Sequence, residues 1–253
     1  MSEYINVDTI DGGFSAYLAR PKLFPAPAIV VIQEIFGVNA DLRQTCDELA
    51  TLGYLALSPD LFWRQEADLD MSADSEADWK KGMALYHAFD VAAGVNDIAA
   101  TMDVARSLRG ATGKVGVMGF CFGGLMTYLT AVRKGPDAAV DYYGMGVEKY
   151  LDEAAKLSTP LIIHLGEEDE FISKEAQRAI TKALRDNVHA QVFSYPGQAH
   201  AFARHRGAHY DRHTAAVANA RSIAFFDLHL RPASGAQGSG NNIAEDPLGM
   251  WVA

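Results

Sequence analysis

Residues 119–124, Gly-Phe-Cys-Phe-Gly-Gly, hold Cys121 between glycines two positions to either side. The run follows a strand-like stretch, Lys114-Val-Gly-Val-Met118, and precedes a helical pattern from Leu125 to Arg133. That is the setting of a nucleophile elbow, with cysteine where serine is the commoner residue. A sharp strand-to-helix turn presses neighbouring backbone against the flanking positions, and side chains there would clash. The turn lifts the Cys121 sulfur above the sheet edge, at the start of a helix whose dipole favours a thiolate. It also aims the backbone N–H of Phe122 at an oxyanion formed beside that sulfur.

An isolated thiol, with a pKa of about 8.5, is only slightly ionised at pH 7, so it needs a base, and the base needs an orienting acid. Elbow enzymes carry these partners downstream, in the order nucleophile, acid, histidine. Of the eight histidines, His200 stands apart, in the loop Pro196-Gly-Gln-Ala-His-Ala-Phe202 after the last expected strand. Loops at the C-terminal ends of strands are where α/β sheets hold their sites. His164 lies inside an apolar run and reads as a core residue, while His87, His189 and His229 read as surface residues. The acid is expected in the loop after Pro160–Leu165, where Glu167, Glu168, Asp169 and Glu170 offer four carboxylates. Spacing does not choose among them.

Those side chains must be held by elements, and the chain alternates short apolar runs with helical patterns. Ala28–Ile32 is a continuous β-branched run, as in a strand covered on both faces. Further strands are expected at Tyr54–Ser58, Lys114–Met118, Ala138–Tyr142, Pro160–Leu165 and Ala190–Tyr195. Helices are expected at Asp41–Leu52, Phe89–Leu108, Leu125–Arg133, Ser173–Asp186 and Thr214–Leu230. The alternation predicts an α/β fold, an open, mostly parallel sheet with helices on both faces. One domain is expected over residues 1–231. Residues 65–78 hold six acids and no base, and read as a solvated loop. From residue 232 to 253 the chain turns Gly/Ser/Asn-rich, the composition of a flexible tail, whose end at Leu248–Val252 is expected to dock.

Composition excludes several classes. Of 253 residues, 49% are apolar and 21% charged, an ordinary globular balance. A net charge of −10 makes phosphate backbones and anionic lipid poor partners, so neither nucleic acid nor membrane is expected. Two cysteines are too few for a disulfide framework. The first residues lack a basic region followed by an apolar one, and no apolar run reaches membrane-spanning length, so a cytoplasmic location is expected.

Six blocks together resemble, in the same order, the dienelactone hydrolases (carboxymethylenebutenolidases), α/β-hydrolases with a cysteine nucleophile. They are Val31-Ile-Gln-Glu-Ile-Phe-Gly37, Ala88-Phe-Asp90, Gly119 to Gly124, Asp141-Tyr-Tyr-Gly144, Gly166 to Phe171 and Tyr195 to Arg204. The resemblance implies an α/β-hydrolase fold and a Cys121–His200–Asp169 triad. It implies a second oxyanion N–H from Ile35 beside that of Phe122, and a further carboxylate, Glu34, hydrogen-bonded to the resting thiol. The implied reaction opens dienelactone to maleylacetate through a thioester, with a small lactone or ester as the partner and no cofactor. The family holds its lactone carboxylate with two arginines. One falls on Arg204. The other falls near Trp79, within Asp78-Trp-Lys-Lys81, where Lys80 or Lys81 could carry a charge without a bidentate clamp. A family tyrosine falls near Met83, and a serine on Ala201. Tyr142 and Phe36 are expected as pocket walls, and specificity for another ester or thioester is the alternative. The chain is expected as a monomer or small homo-oligomer.

Other chemistries have weaker footing. His205, His209 and His213, spaced four apart with Asp211 nearby, would share one helical face, but Gly207 interrupts it and no glutamate completes a metalloprotease signature. No metal is expected there. A redox role for Cys121 lacks a partner, since Cys46 belongs to a different helix and no Cys-x-x-Cys pair exists. A non-catalytic binding protein on this fold would have a broken triad, and all three members are present.

Overall fold

The structure, a computed structural model, describes residues 2–205 and 207–231; the segment 232–253, on which the tail and the docking of Leu248–Val252 are expected, lies outside the described residues. Strands β1 (Ser2–Thr9), β2 (Gly12–Ala19), β3 (Ala26–Ile32), β4 (Leu55–Pro59), β5 (Ala111–Phe120), β6 (Ala138–Tyr142), β7 (Leu161–Gly166) and β8 (Ala190–Tyr195) form one sheet. Its order is β1-β2-β4-β3-β5-β6-β7-β8. β1 and β2 pair antiparallel, as do β2 and β4, and every pair from β4 to β8 is parallel. All residues of β3, β6 and β7 are buried, as expected of parallel strands covered on both faces.

The helices are α1 (Ala40–Thr51), α2 (Glu76–His87), α3 (Val91–Ser107), α4 (Phe122–Lys134), α5 (Lys174–Leu184) and α6 (Arg212–Leu230), with a 3₁₀ segment over Val147–Lys156. Most begin at a side-chain cap. The Asn39, Asp90, Ser173 and Asp211 side chains each accept a backbone N–H from the first turn. No helix of the described residues is long and apolar enough to cross a membrane.

Three elements depart from expectation. The β1–β2 hairpin escapes apolar periodicity because β1 is an edge strand, exposed along most of its length. The acidic run 65–78 is not all loop, because α2 starts inside it. Ser75 caps that helix by accepting from the Asp78 N–H at 3.2 Å, and Glu76 and Asp78 sit where the helix dipole favours negative charge. The rest of the run is tied to the segment after β3: the Met71 N–H donates to the Phe36 carbonyl at 3.0 Å, and Asn39 Nδ2 donates to the Met71 carbonyl at 3.1 Å. Finally, α4 starts at Phe122 rather than Leu125, which leaves Cys121 alone between β5 and the helix.

Candidate active site

Cys121 has φ 57° and ψ −116°, a backbone state that a side chain rarely adopts. It is held there from both sides. Its N–H donates to the Tyr142 carbonyl at 3.0 Å, and its carbonyl accepts from Gly124 at 3.0 Å and Met145 at 3.2 Å. The flanking glycines follow from contact distances. A Cβ on Gly119 would lie 2.2 Å from the Gly123 carbonyl oxygen, and one on Gly123 would lie 2.4 Å from that of Ile32. The end of β3 thus runs directly against the first turn of α4, which brings Ile35 alongside the elbow. Among the described residues the N–H groups of Ile35 and Phe122 form no hydrogen bond. α2 crosses at the same point, since a Cβ on Gly82 would meet the Ile35 carbonyl oxygen at 2.6 Å.

His200 and Asp169 come from the loops after β8 and β7. His200 Nδ1 is 2.8 Å from Asp169 Oδ2, with the side chains 2% and 0% exposed. The other carboxylate oxygen of Asp169 accepts the N–H groups of Phe171 at 2.8 Å and Ile172 at 3.1 Å, fixing its direction. Of the four carboxylates that spacing leaves open, Asp169 is the one that meets the His200 ring. Glu168 instead pairs with Lys174 at 3.0 Å, and Glu170 accepts the backbone N–H of His200 at 3.2 Å. The opposite ring nitrogen, His200 Nε2, is buried and without a hydrogen-bond partner. Burial alone would depress the imidazole, but negative charge on Cys121 and then the Asp169 carboxylate outweigh it and push His200 up to about 10. Cys121 itself is 3% exposed.

Glu34 does not meet the thiol. Both its oxygens are taken by Arg204, Nε to Oε2 at 2.6 Å and Nη2 to Oε1 at 3.1 Å, with the side chains 8% and 10% exposed. A fork of this kind satisfies a buried carboxylate fully, so the contact expected between Glu34 and resting Cys121 is replaced by an ion pair. The same pair occupies the guanidinium expected to meet substrate. Arg204 also lies over the Phe36 ring, 5.2 Å from its centre.

The expected pocket residues separate into two groups. Trp79 and Phe36 meet edge-on at 5.1 Å beside the site. Tyr142 does not join them: its hydroxyl is 2.8 Å from Asn219 and 2.7 Å from Ser222, on α6. Strand alternation turns it that way, and the next residue, Tyr143, turned by a φ of 43°, puts its ring 5.1 Å from that of His200. Lys81 pairs with Glu66 at 2.7 Å, and Lys80 is exposed. Tyr86, one turn beyond Met83 on α2, lies close enough to Cys121 that burial and charge on that sulfur push its phenol up to about 12. Phe171 stands 4.9 Å from the His200 ring. Sequence reasoning missed Tyr86, Tyr143 and Phe171; the helical spacing of Tyr86 from Trp79 was a usable signal once α2 was recognised.

Three other histidines have partners of their own. His205, His209 and His213 do not share a helical face, because α6 begins only at Arg212. His205 lies between Asp41 at 3.0 Å and Glu48 at 3.3 Å, His209 Nδ1 is 3.1 Å from the His200 carbonyl oxygen, and Asp211 caps α6. His164 is a satisfied core residue, with Ser222 on one ring nitrogen at 3.0 Å and Tyr195 on the other at 2.8 Å.

Residues 14–230 match the model of the Dienelactone hydrolase family. A protein of Azospirillum brasilense, provisionally called a carboxymethylenebutenolidase, is 40% identical over 222 residues, covering 87% of this chain and 95% of its own. The Carboxymethylenebutenolidase of Pseudomonas putida is 38% identical over 226 residues, covering 89% and 96%. Among solved structures, a Klebsiella pneumoniae chain provisionally called a dienelactone hydrolase superposes with a TM-score of 0.80 at 29% identity, covering 89% of this chain and 98% of its own. With a cysteine elbow on a mostly parallel sheet and matches along nearly its whole described length, the chain belongs to the dienelactone hydrolase family, ester-hydrolysing enzymes of the α/β-hydrolase fold.

Proposed function

We propose that the protein hydrolyses a lactone or ester through a covalent thioester on Cys121, with His200 as base and acid and Asp169 as its orienting carboxylate. The reading rests above all on His200, gripped by Asp169 through Nδ1 at 2.8 Å while Nε2 has no hydrogen-bond partner and Cys121 lies near enough to raise the imidazole. Proton transfer from Cys121 to Nε2 produces a thiolate and an imidazolium. The imidazolium is held by negative charge on either side, the condition that raises His200. The thiolate attacks the substrate carbonyl, and the oxyanion takes the free N–H groups of Ile35 and Phe122. The carbon–oxygen bond breaks, the alkoxide leaves with the proton of His200, and the acyl group stays on sulfur. Water then gives a proton to His200 and its oxygen to the acyl carbon; the carbon–sulfur bond breaks, which releases the acid and restores the thiolate–imidazolium pair. Each oxyanion donor is worth about 3–4 kcal/mol in such reactions, which is why backbone rather than side chain matters at residues 35 and 122.

The relatives are named for a butenolide, and that name brings a lactone ring to this chain as the first substrate to assay. In a lactone the leaving alkoxide stays tethered to the acyl group, so the thioester carries the whole opened chain. A second reading, a broader esterase or thioesterase, is favoured by the engagement of Arg204 with Glu34, which balances the guanidinium's charge before any substrate carboxylate arrives. The test is trapping. Brief reaction with a slow ester, acid quench and mass spectrometry should place an acyl adduct on the peptide containing Cys121, and Cys121→Ala should lose both adduct and turnover. An unacylated protein that turns over substrate normally would refute the covalent route.

A further inference from the structure

A rim of aromatic rings gathers beside His200. Phe171 is 40% exposed although the triad beside it is covered. Its ring meets His200 edge-on at 4.9 Å and lies near parallel to Trp79 at 6.0 Å, and Trp79 meets Phe36 edge-on at 5.1 Å. The single polar atom of the Trp79 side chain is occupied, because its Nε1 donates to the Ala73 carbonyl at 2.7 Å. The rim therefore presents aromatic faces, and an exposed ring face in such a place is the natural seat of an apolar planar group.

The charges near it discourage an anion. Arg204 is held by both oxygens of Glu34, and Lys81 by Glu66. The Arg204 charge is already balanced by Glu34, so a substrate carboxylate reaching the remaining N–H groups of the guanidinium would meet a neutral ion pair rather than an unpaired cation. Glu170, on the same loop as Phe171, adds a second negative group beside His200.

We propose that the site takes an uncharged ester or lactone bearing a planar apolar ring, seated against Trp79 and Phe171; this rests on the hydrolytic reading above and names its substrate class. The reaction stays the addition of water across the ester bond. The experiment compares two forms of one compound, a carboxymethylenebutenolide as free carboxylate and as methyl ester, scoring only opening of the ring. Wild type should open the methyl ester with a kcat/KM about tenfold or more above that of the carboxylate. Trp79→Ala and Phe171→Ala should reduce that advantage chiefly through KM, and Trp79→Arg should raise turnover of the carboxylate relative to the ester. Equal or better opening of the carboxylate by wild type overturns the proposal, as does an advantage unmoved in all three variants. Cys121→Ala, assayed in parallel, separates the two readings: if it still opens either form, the covalent mechanism is wrong while the preference between the forms continues to test the substrate class. Failure of wild type to open either form overturns both.

Discussion

In the proposed mechanism the chemistry concentrates on His200, whose basicity is set by neighbours of opposite effect. Burial lowers it, while charge on Cys121 and the Asp169 carboxylate raise it to about 10. The imidazolium therefore persists through neutral pH and is lost as pH rises through that value. The alkaline limb of kcat/KM is expected near 10 rather than near the ordinary histidine value of about 6.5. NMR titration of the His200 ring in Cys121→Ala should show a lower pKa than in wild type, because the largest raising influence is gone. Asp169→Asn should cut kcat on the order of 10⁴-fold, by losing the tautomer and the stabilised imidazolium together. Glu34 belongs to the same scale. Glu34→Ala leaves Arg204 buried without its partner and should lower unfolding stability by about 3–5 kcal/mol, read by urea denaturation. Glu34→Gln keeps an acceptor for the guanidinium, so it should lose less stability and still lower turnover.

At the scale of elements, the site depends on backbones approaching closer than side chains permit. β3 and α4 meet at Gly123, where a Cβ would stand 2.4 Å from the Ile32 carbonyl oxygen. Gly123→Ala must push the two apart, which should cost about 1–3 kcal/mol and move the N–H groups of Ile35 and Phe122 relative to each other. Its kcat should fall more steeply than its stability, as urea midpoints measured beside steady-state kinetics would reveal. α2 presents the same logic at a milder level. Gly82 lets it lie across Ile35, and the helix carries Trp79 and Tyr86 on the turns to either side. The acidic stretch at the start of α2 reads as solvated loop when only charge is counted. It becomes helix because Ser75 supplies a cap and the acids sit at the positive end of the helix dipole.

Across the whole molecule, the parallel strands β3, β4, β6 and β7 are buried on both faces and carry some polar groups with them. Asp141, at the core end of β6, is the clearest: fully buried, with burial pushing its carboxyl up to about 8. Its oxygens fill the space between Gly124 and Gly144, where a Cβ would stand 2.2 and 2.6 Å from Oδ1. An acid whose folded pKa lies above its unfolded value of 3.8 holds its proton in the folded state while the unfolded chain releases it. Its contribution to stability is thus complete below the unfolded value and is lost as pH rises toward about 8, after which it changes no further. Asp141→Asn removes that titration. The melting temperature of the variant minus that of wild type should increase from pH 5 to pH 8; a constant difference would show that Asp141 titrates normally.

Local pattern alone determined most of the frame. The short buried runs of β3, β6 and β7 and the apolar faces of the helices specify a parallel sheet because strand and helix periods are properties of consecutive residues. The cysteine elbow was legible for the same reason, since the glycines that permit it lie within a few positions of Cys121. Polar and exposed elements were not legible: β1 is exposed along most of its length, and α2 owes its start to one serine. The pairing of side chains was decided only in three dimensions. Asp169 stands apart from Glu167, Glu168 and Glu170 because the turn after β7 aims one of four similar carboxylates at a ring 31 residues away. Glu34 chose Arg204, 170 residues distant, over the thiol expected for it. Tyr143 rather than Tyr142 faces His200 because the chain twists at the end of β6. Periodicity registers which face a residue occupies; it carries no information on which of several chemically equivalent groups arrives within bonding distance.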